Sequence, residues 1–155
     1  MTRLQVPLIG RKIAAPGDIV LRAELDLLLR DQGDALRPVT FRVDTATDMS
    51  TMPAWLARQF NLPLPKGPVP NLAHTSGLAV RNGLLRARVA GMDPIEYIFP
   101  CYFLGDPDVF PDPSQSAILF RSLLDLTGVV DKIRLLLDGR PSATAKYGML
   151  VVDTS

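Results

Sequence analysis

From Ile19 onward every second residue is apolar: Ile19, Leu21, Ala23, Leu25, Leu27 and Leu29, with Arg22, Glu24, Asp26 and Arg30 set between them. A period of two puts all the apolar side chains on one face of an extended chain, so the run predicts a strand with one buried face. Leu, Arg, Ala and Glu also suit a helix, but strict alternation over this length favours the strand. Asp31-Gln32-Gly33-Asp34 is a polar, turn-forming tip, after which Val39, Phe41 and Val43 alternate with Thr40 and Arg42. Two alternating runs about such a tip predict a β-hairpin.

Upstream, residues 6–9 are a short apolar run that Pro7 restricts to an edge strand, and Ala15-Pro16-Gly17 is a turn. Beyond Asp44 the pattern changes. Pro53 suits the first turn of a helix, where its missing N–H is not needed. Trp55, Leu56 and Phe60 would form the apolar face of that helix, with Asn61 and Pro63 stopping it. Residues 63–70 are a proline-rich loop. Residues 71–89 read as a hairpin or bent ribbon, with Gly77 and Asn82-Gly83 as turns and Leu85, Ala87 and Val89 alternating with Arg86 and Arg88. After the turn Gly91-Met92-Asp93-Pro94, residues 95–104 are β-rich, and residues 105–114 form a loop. Residues 117–120 predict a short buried strand and residues 121–127 a brief helix ended by Gly128. Ile133, Leu135 and Leu137 alternate before the turn Asp138-Gly139, and residues 149–152 are a terminal strand. The elements add up to an all-β chain with two short helices, folded as a closed or nearly closed barrel in a single domain over residues 1–155.

Composition narrows the partners. The chain has 155 residues, 47% hydrophobic and 21% charged, which excludes a wholly disordered polymer and suffices for a core without staples. Seventeen basic against sixteen acidic residues leave net charge +1, so nothing global draws the chain to nucleic acid or anionic lipid. Cys101 is alone, which removes an intramolecular disulfide, and no Cys/His spacing suits zinc. Met1–Pro7 lacks the apolar run of a signal peptide, and no segment approaches the ~20 apolar residues of a membrane span. These features predict a soluble, cytoplasmic protein with no metal, no nucleic-acid partner and no membrane partner.

Candidate chemistry concentrates in Phe41-Arg42-Val43-Asp44-Thr45-Ala46-Thr47-Asp48-Met49-Ser50. An apolar strand that ends in Asp, then a hydroxyl residue, then a tiny one, sets a carboxylate at a strand end where backbone N–H groups can approach it. The segment resembles the active-site loop of retropepsin-like aspartic peptidases, whose signature is Asp-Thr/Ser-Gly after an apolar strand. Ala117-Ile118-Leu119-Phe120-Arg121-Ser122-Leu123-Leu124 resembles the family's second signature, in which two apolar residues and a Gly precede Arg, a small polar residue and two apolar residues opening a short helix. The hairpin, the ribbon and the terminal strand fall in the family's order, and the resemblance covers roughly Val6 to Val152.

The resemblance implies a retropepsin-like acid-protease barrel and a hydrolytic role. In that family two aspartates share a proton and hold a water. One carboxylate takes the water's proton as it attacks the scissile carbonyl, and the other donates to the carbonyl oxygen. With one such motif per chain, the dyad requires a homodimer in which Asp44 of each subunit meets at a two-fold axis. By the same resemblance, the Thr45 hydroxyl would bond a backbone N–H across the dimer, and Asp48 would pair with Arg121. The substrate would be a peptide or protein segment in extended form, no cofactor being required. Thr75, Ser76 and Gly77, next to His74, would form the tip of a flap over it, with Arg81-Asn82-Gly83 as a second candidate.

Two positions depart from the family. Ala46 and Phe120 each stand where a signature has Gly, and a displacement of ~1 Å at a catalytic centre can cost about a hundredfold in rate. The competing expectation is therefore a catalytically degenerate barrel serving as a binding or dimerisation module; a barrel holding a small apolar ligand is a third. Each feature also has a plainer reading. Asp44 would cap a turn, Asp48 and Arg121 would be solvated charges, and Arg81, Arg86 and Arg88 would be a solvated strand face. Trp55 and Phe60 would be packing. Cys101, between Phe99, Tyr102 and Phe103, would be a core thiol rather than a nucleophile paired with His74.

Overall fold

The alternation that opens the chain's first hairpin becomes one wall of a barrel. A computed structural model describes residues 2–12, 18–44, 49–66, 78–114 and 117–154. Strand β4 (Glu24–Arg30) buries Leu25, Leu27 and Leu29, and pairs antiparallel with β5 (Leu36–Val43) in a register that sets Leu25 against Phe41 and Leu27 against Val39. The remaining barrel strands are β6 (Ser50–Pro53), β7 (Val80–Val89), β8 (Tyr97–Leu104) and β9 (Ser122–Leu124). Going round, the order is β4-β5-β9-β6-β8-β7, and β7 closes on β4 through Leu27 and Val89. Two of the neighbours are parallel, β5 with β9 and β6 with β8; the rest are antiparallel. The interior holds Phe41, Met52, Leu85, Phe99, Cys101, Phe103 and Leu124, all fully buried.

Outside the barrel, β1 (Arg3–Pro7) and β10 (Arg134–Asp138) flank β11 (Met149–Asp153), which turns Leu150 and Val152 into the core. Pro7 ends β1, an edge strand of this sheet. A separate ribbon pairs β2 (Ile9–Lys12) with β3 (Ile19–Arg22). Here the run that begins at Ile19 departs from expectation. It breaks at Ala23 into two strands, and Ile19, Val20 and Leu21 are exposed because β3 pairs only with β2 and does not enter the barrel.

Helix α1 (Ala54–Ala57) starts one residue later than expected, with Pro53 as the capping residue before it. Ala54 and Ala57 carry its buried face, and Phe60 is buried just beyond it. Two other local readings are corrected. Asn82-Gly83 is not a turn: β7 runs through it, with Gly83 opposite Cys101, and the missing side chain makes room for the Phe103 ring. The strand expected at 117–120 is a 3-10 turn, Ala117–Phe120, and the helix expected at 121–127 begins instead with strand β9. A helical turn follows, closed by Val129 and Val130 N–H groups on the Leu126 carbonyl and Ile133 N–H on that of Val129. The helix expected at 121–127 is therefore absent: strand β9, paired with β5, takes its place and only hydrogen-bonded turns follow.

Gly148 fixes the return into β11. Its φ is +96°, and a side chain there would press on the Asp138 carbonyl oxygen and the Gly139 backbone; its own carbonyl accepts the Leu8 N–H at 2.9 Å. Gly148→Ala is expected to cost about 2 kcal/mol or more in stability, read from urea denaturation, because left-handed backbone and close contact penalise the methyl together.

Candidate functional site

Along β5 the backbone bonds alternate in direction. Val43 N–H donates to the Ala23 carbonyl on the β4 side at 2.9 Å, and Asp44 N–H donates to the Leu124 carbonyl on the β9 side at 3.0 Å. The parallel register pairs Phe41 with Ser122 and Val43 with Leu124. Asp44 and Asp125 thus follow side by side at the ends of adjacent parallel strands. Ser50, a fully buried residue that opens β6, accepts the Asp125 N–H on its hydroxyl oxygen at 2.9 Å. Asp44 and Ser50 are thus bonded to two successive residues, Leu124 and Asp125, at one strand terminus.

Asp125 is itself buried, at 3% exposure, and its Oδ2 accepts the Thr127 N–H at 3.1 Å. It caps the helical turn that follows, a usual task for an Asp beside orphan N–H groups. Neither Ser50 nor Asp125 was singled out from the sequence. Asp125 has a faint local signal, being the one acid within Leu123-Leu124-Asp125-Leu126. Ser50 has none, since its partner lies 75 residues away.

The other anticipated residues divide. Asp44 is partly buried at the strand end. Thr45, Ala46 and Asp48, and the flap candidates Thr75, Ser76 and Gly77 with His74, lie outside the described residues, as does the expected Asp48–Arg121 pair. Arg121 is exposed and borders a cleft of about 430 Å³ together with Arg37, Arg42, Val39, Phe60 and Phe120. The Phe120 ring lies toward Trp55 and Phe110, with centroids 6.4 and 5.9 Å away. The residues beside Asp44's strand are Leu123 and Leu124, not Ile118 and Leu119.

Arg42, two residues before Asp44, is partly buried, and its Nε is shielded from solvent with no hydrogen-bond partner. Burial first, then the neighbouring charges of Arg22 and Arg121, hold its guanidinium below the usual value, against the opposing pull of Glu24 and Asp44. Cys101 is fully buried in the barrel, and burial pushes its thiol up, away from the thiolate that nucleophilic chemistry needs. Among the described residues no three His, Cys, Asp or Glu side chains gather as a metal would require. Comparison with family models, with curated proteins and with solved structures finds no match to this chain.

Ser50→Ala is nearly isosteric but leaves the Asp125 N–H buried without an acceptor. The expected loss is about 1–3 kcal/mol, measured by chemical denaturation, with hydrogen exchange of the Asp125 amide rising more than that of β4 amides.

Proposed function

We propose that this barrel is a retropepsin-like aspartic endopeptidase domain that acts as a homodimer, with Asp44 of each subunit forming the catalytic pair. The observation that carries the reading is the setting of Asp44. It follows directly on β5, its N–H is anchored to the Leu124 carbonyl, and the Ser50 hydroxyl that opens β6 accepts the N–H of the next residue, Asp125. Such anchoring supplies the preorganisation that a carboxylate needs to act on a bound peptide.

The chemistry then follows from two carboxylates and one water. The unprotonated Asp44 takes a proton from the water as its oxygen bonds to the scissile carbonyl carbon. The protonated twin gives its proton to the carbonyl oxygen, making a tetrahedral gem-diol. When the C–N bond breaks, the amine leaves with a proton, and the new carboxylic acid and amine are released. The peptide would lie extended, in the manner of an added strand.

A second reading has a specific observation in its favour. With Leu123 and Leu124 paired beside β5, Asp125 stands where the family's second signature has Gly, and Leu126 where it has Arg. A barrel that has diverged this far would serve as a binding or dimerisation module without hydrolysis.

The two are separated by a cleavage assay on a mixed peptide pool from acidic to neutral pH, with solution mass measured under the same conditions. The peptidase reading expects a dimer of the 16.9 kDa chain and a loss of at least about a thousandfold in kcat/KM for Asp44→Asn. Equal cleavage by wild type and variant would remove Asp44 from the chemistry. A dimer that cleaves nothing would favour the module. Cleavage by a monomer, lost also in Asp125→Asn, would make Asp125 the second acid.

A further inference from the structure

The cleft beside Asp44 has an unbalanced lining. Its floor is apolar, from Val39, Phe60 and Phe120, while Arg37, Arg42 and Arg121 surround it. Glu24 is the one acidic residue among those lining it, against three arginines. The Arg37 guanidinium lies over the Phe60 ring, 5.9 Å from its centroid. Arg42 feels the like charges of Arg22 and Arg121, and a carboxylate entering the cleft offsets that repulsion.

Position connects this cleft to the candidate catalytic residue. Arg42 lies in β5 and Asp44 is the residue just past its end, its N–H still bonded to Leu124, so the two lie about 7 Å apart along the chain. An extended peptide advances about 3.3 Å per residue. The side chain that reaches Arg42 and Arg121 therefore belongs to a residue about two positions from whatever bond sits at Asp44.

We infer that the cleft is a subsite for an acidic side chain, and that the segments this domain takes carry Glu or Asp about two residues from the bond presented to Asp44. This rests on the peptidase reading for the location of the bond, but not for the affinity. The apolar floor suits the methylene stem of such a side chain, and the arginines its carboxylate.

The test uses two rhodamine-labelled octapeptides, Ala-Val-Glu-Leu-Phe-Glu-Val-Ala and its twin with Gln for both Glu residues. Binding to the Asp44→Asn protein is followed by fluorescence anisotropy, so that hydrolysis plays no part. The Glu peptide is expected to bind about tenfold more tightly, with the preference shrinking in 0.5 M salt as an ionic contact should. Arg121→Glu, at an exposed position that leaves the core untouched, should bring the two peptides within about twofold of each other. Equal binding of the two peptides to the protein with its arginines intact overturns the inference, as does binding of neither. A preference that survives the combined Arg42→Gln and Arg121→Glu variant does the same. Wild-type hydrolysis is scored separately. A Glu preference in binding with no cleavage of either peptide defeats the peptidase reading alone, and cleavage of both at equal kcat/KM defeats the acidic subsite alone.

Discussion

Everything near Asp44 depends on one short strand end. Leu124 gives its carbonyl to the Asp44 N–H, and Asp125 gives its N–H to the Ser50 hydroxyl. The five residues between Asp44 and Ser50 are thereby bracketed by neighbours in the sequence of another segment, more than 70 residues away. Each bond contributes only about 1 kcal/mol net when made, but leaving either buried partner unpaired costs about 1–3. The arrangement is thus enforced more by the penalty for losing it than by its own strength. β9, only three residues long, is held because it adds one parallel partner to β5 and meets β6 at Thr51. Without it the barrel would open at that seam.

The same seam arranges the charges. The 3-10 turn Ala117–Phe120 leads directly into β9, and the Trp55 indole N–H fixes it by donating to the Leu119 carbonyl at 2.6 Å. Phe110 packs edge-on against Trp55 with centroids 4.8 Å apart, and Phe120 joins both rings. Arg121, the next residue, is consequently delivered to the cleft, facing the side of β5 that carries Arg42. A chain with net charge of only +1 is locally far from neutral there. Balance over the whole sequence says little about any one surface.

How much of this was legible in the sequence follows from how local each signal is. The β4–β5 hairpin was legible because period two and a polar tip lie within 25 residues of each other. Ile19 and Leu21 continued the same alternation yet ended outside the barrel, because pairing partner rather than periodicity decides which face is buried. Asn82-Gly83 has turn chemistry, but Gly83 serves the Phe103 ring across the β7–β8 pair. The strand expected at 117–120 lies about five residues later, since an apolar tetrad at 117–120 and a triplet at 122–124 look alike until β5 selects one of them. Asp44 stood out by its position after a β-rich run. Ser50 and Asp125 could not, because their meaning is created only by the long-range pairing that brings them together.

For two Asp44 carboxylates to meet across a symmetry axis, the surface around the strand end must be self-complementary and largely free of bulk. A stable pair also needs about 800 Å² buried per partner. The chain has apolar surface in the required neighbourhood. Leu21, Val43 and Leu137 line a recess of about 320 Å³, and Val43 immediately precedes Asp44. Beside it the β2–β3 ribbon exposes Ile9, Ile19, Val20 and Leu21. The ribbon touches the rest of the chain where Gly10 packs on the Tyr147 ring, and its exposed apolar side chains add nothing to a two-stranded ribbon that is marginal in water by itself. The misfit between the alternation of residues 19–29 and the exposure of its first half is therefore a matter of pairing: alternation fixes which side chains share a face, and β3, paired only with β2, has no barrel strand to cover that face.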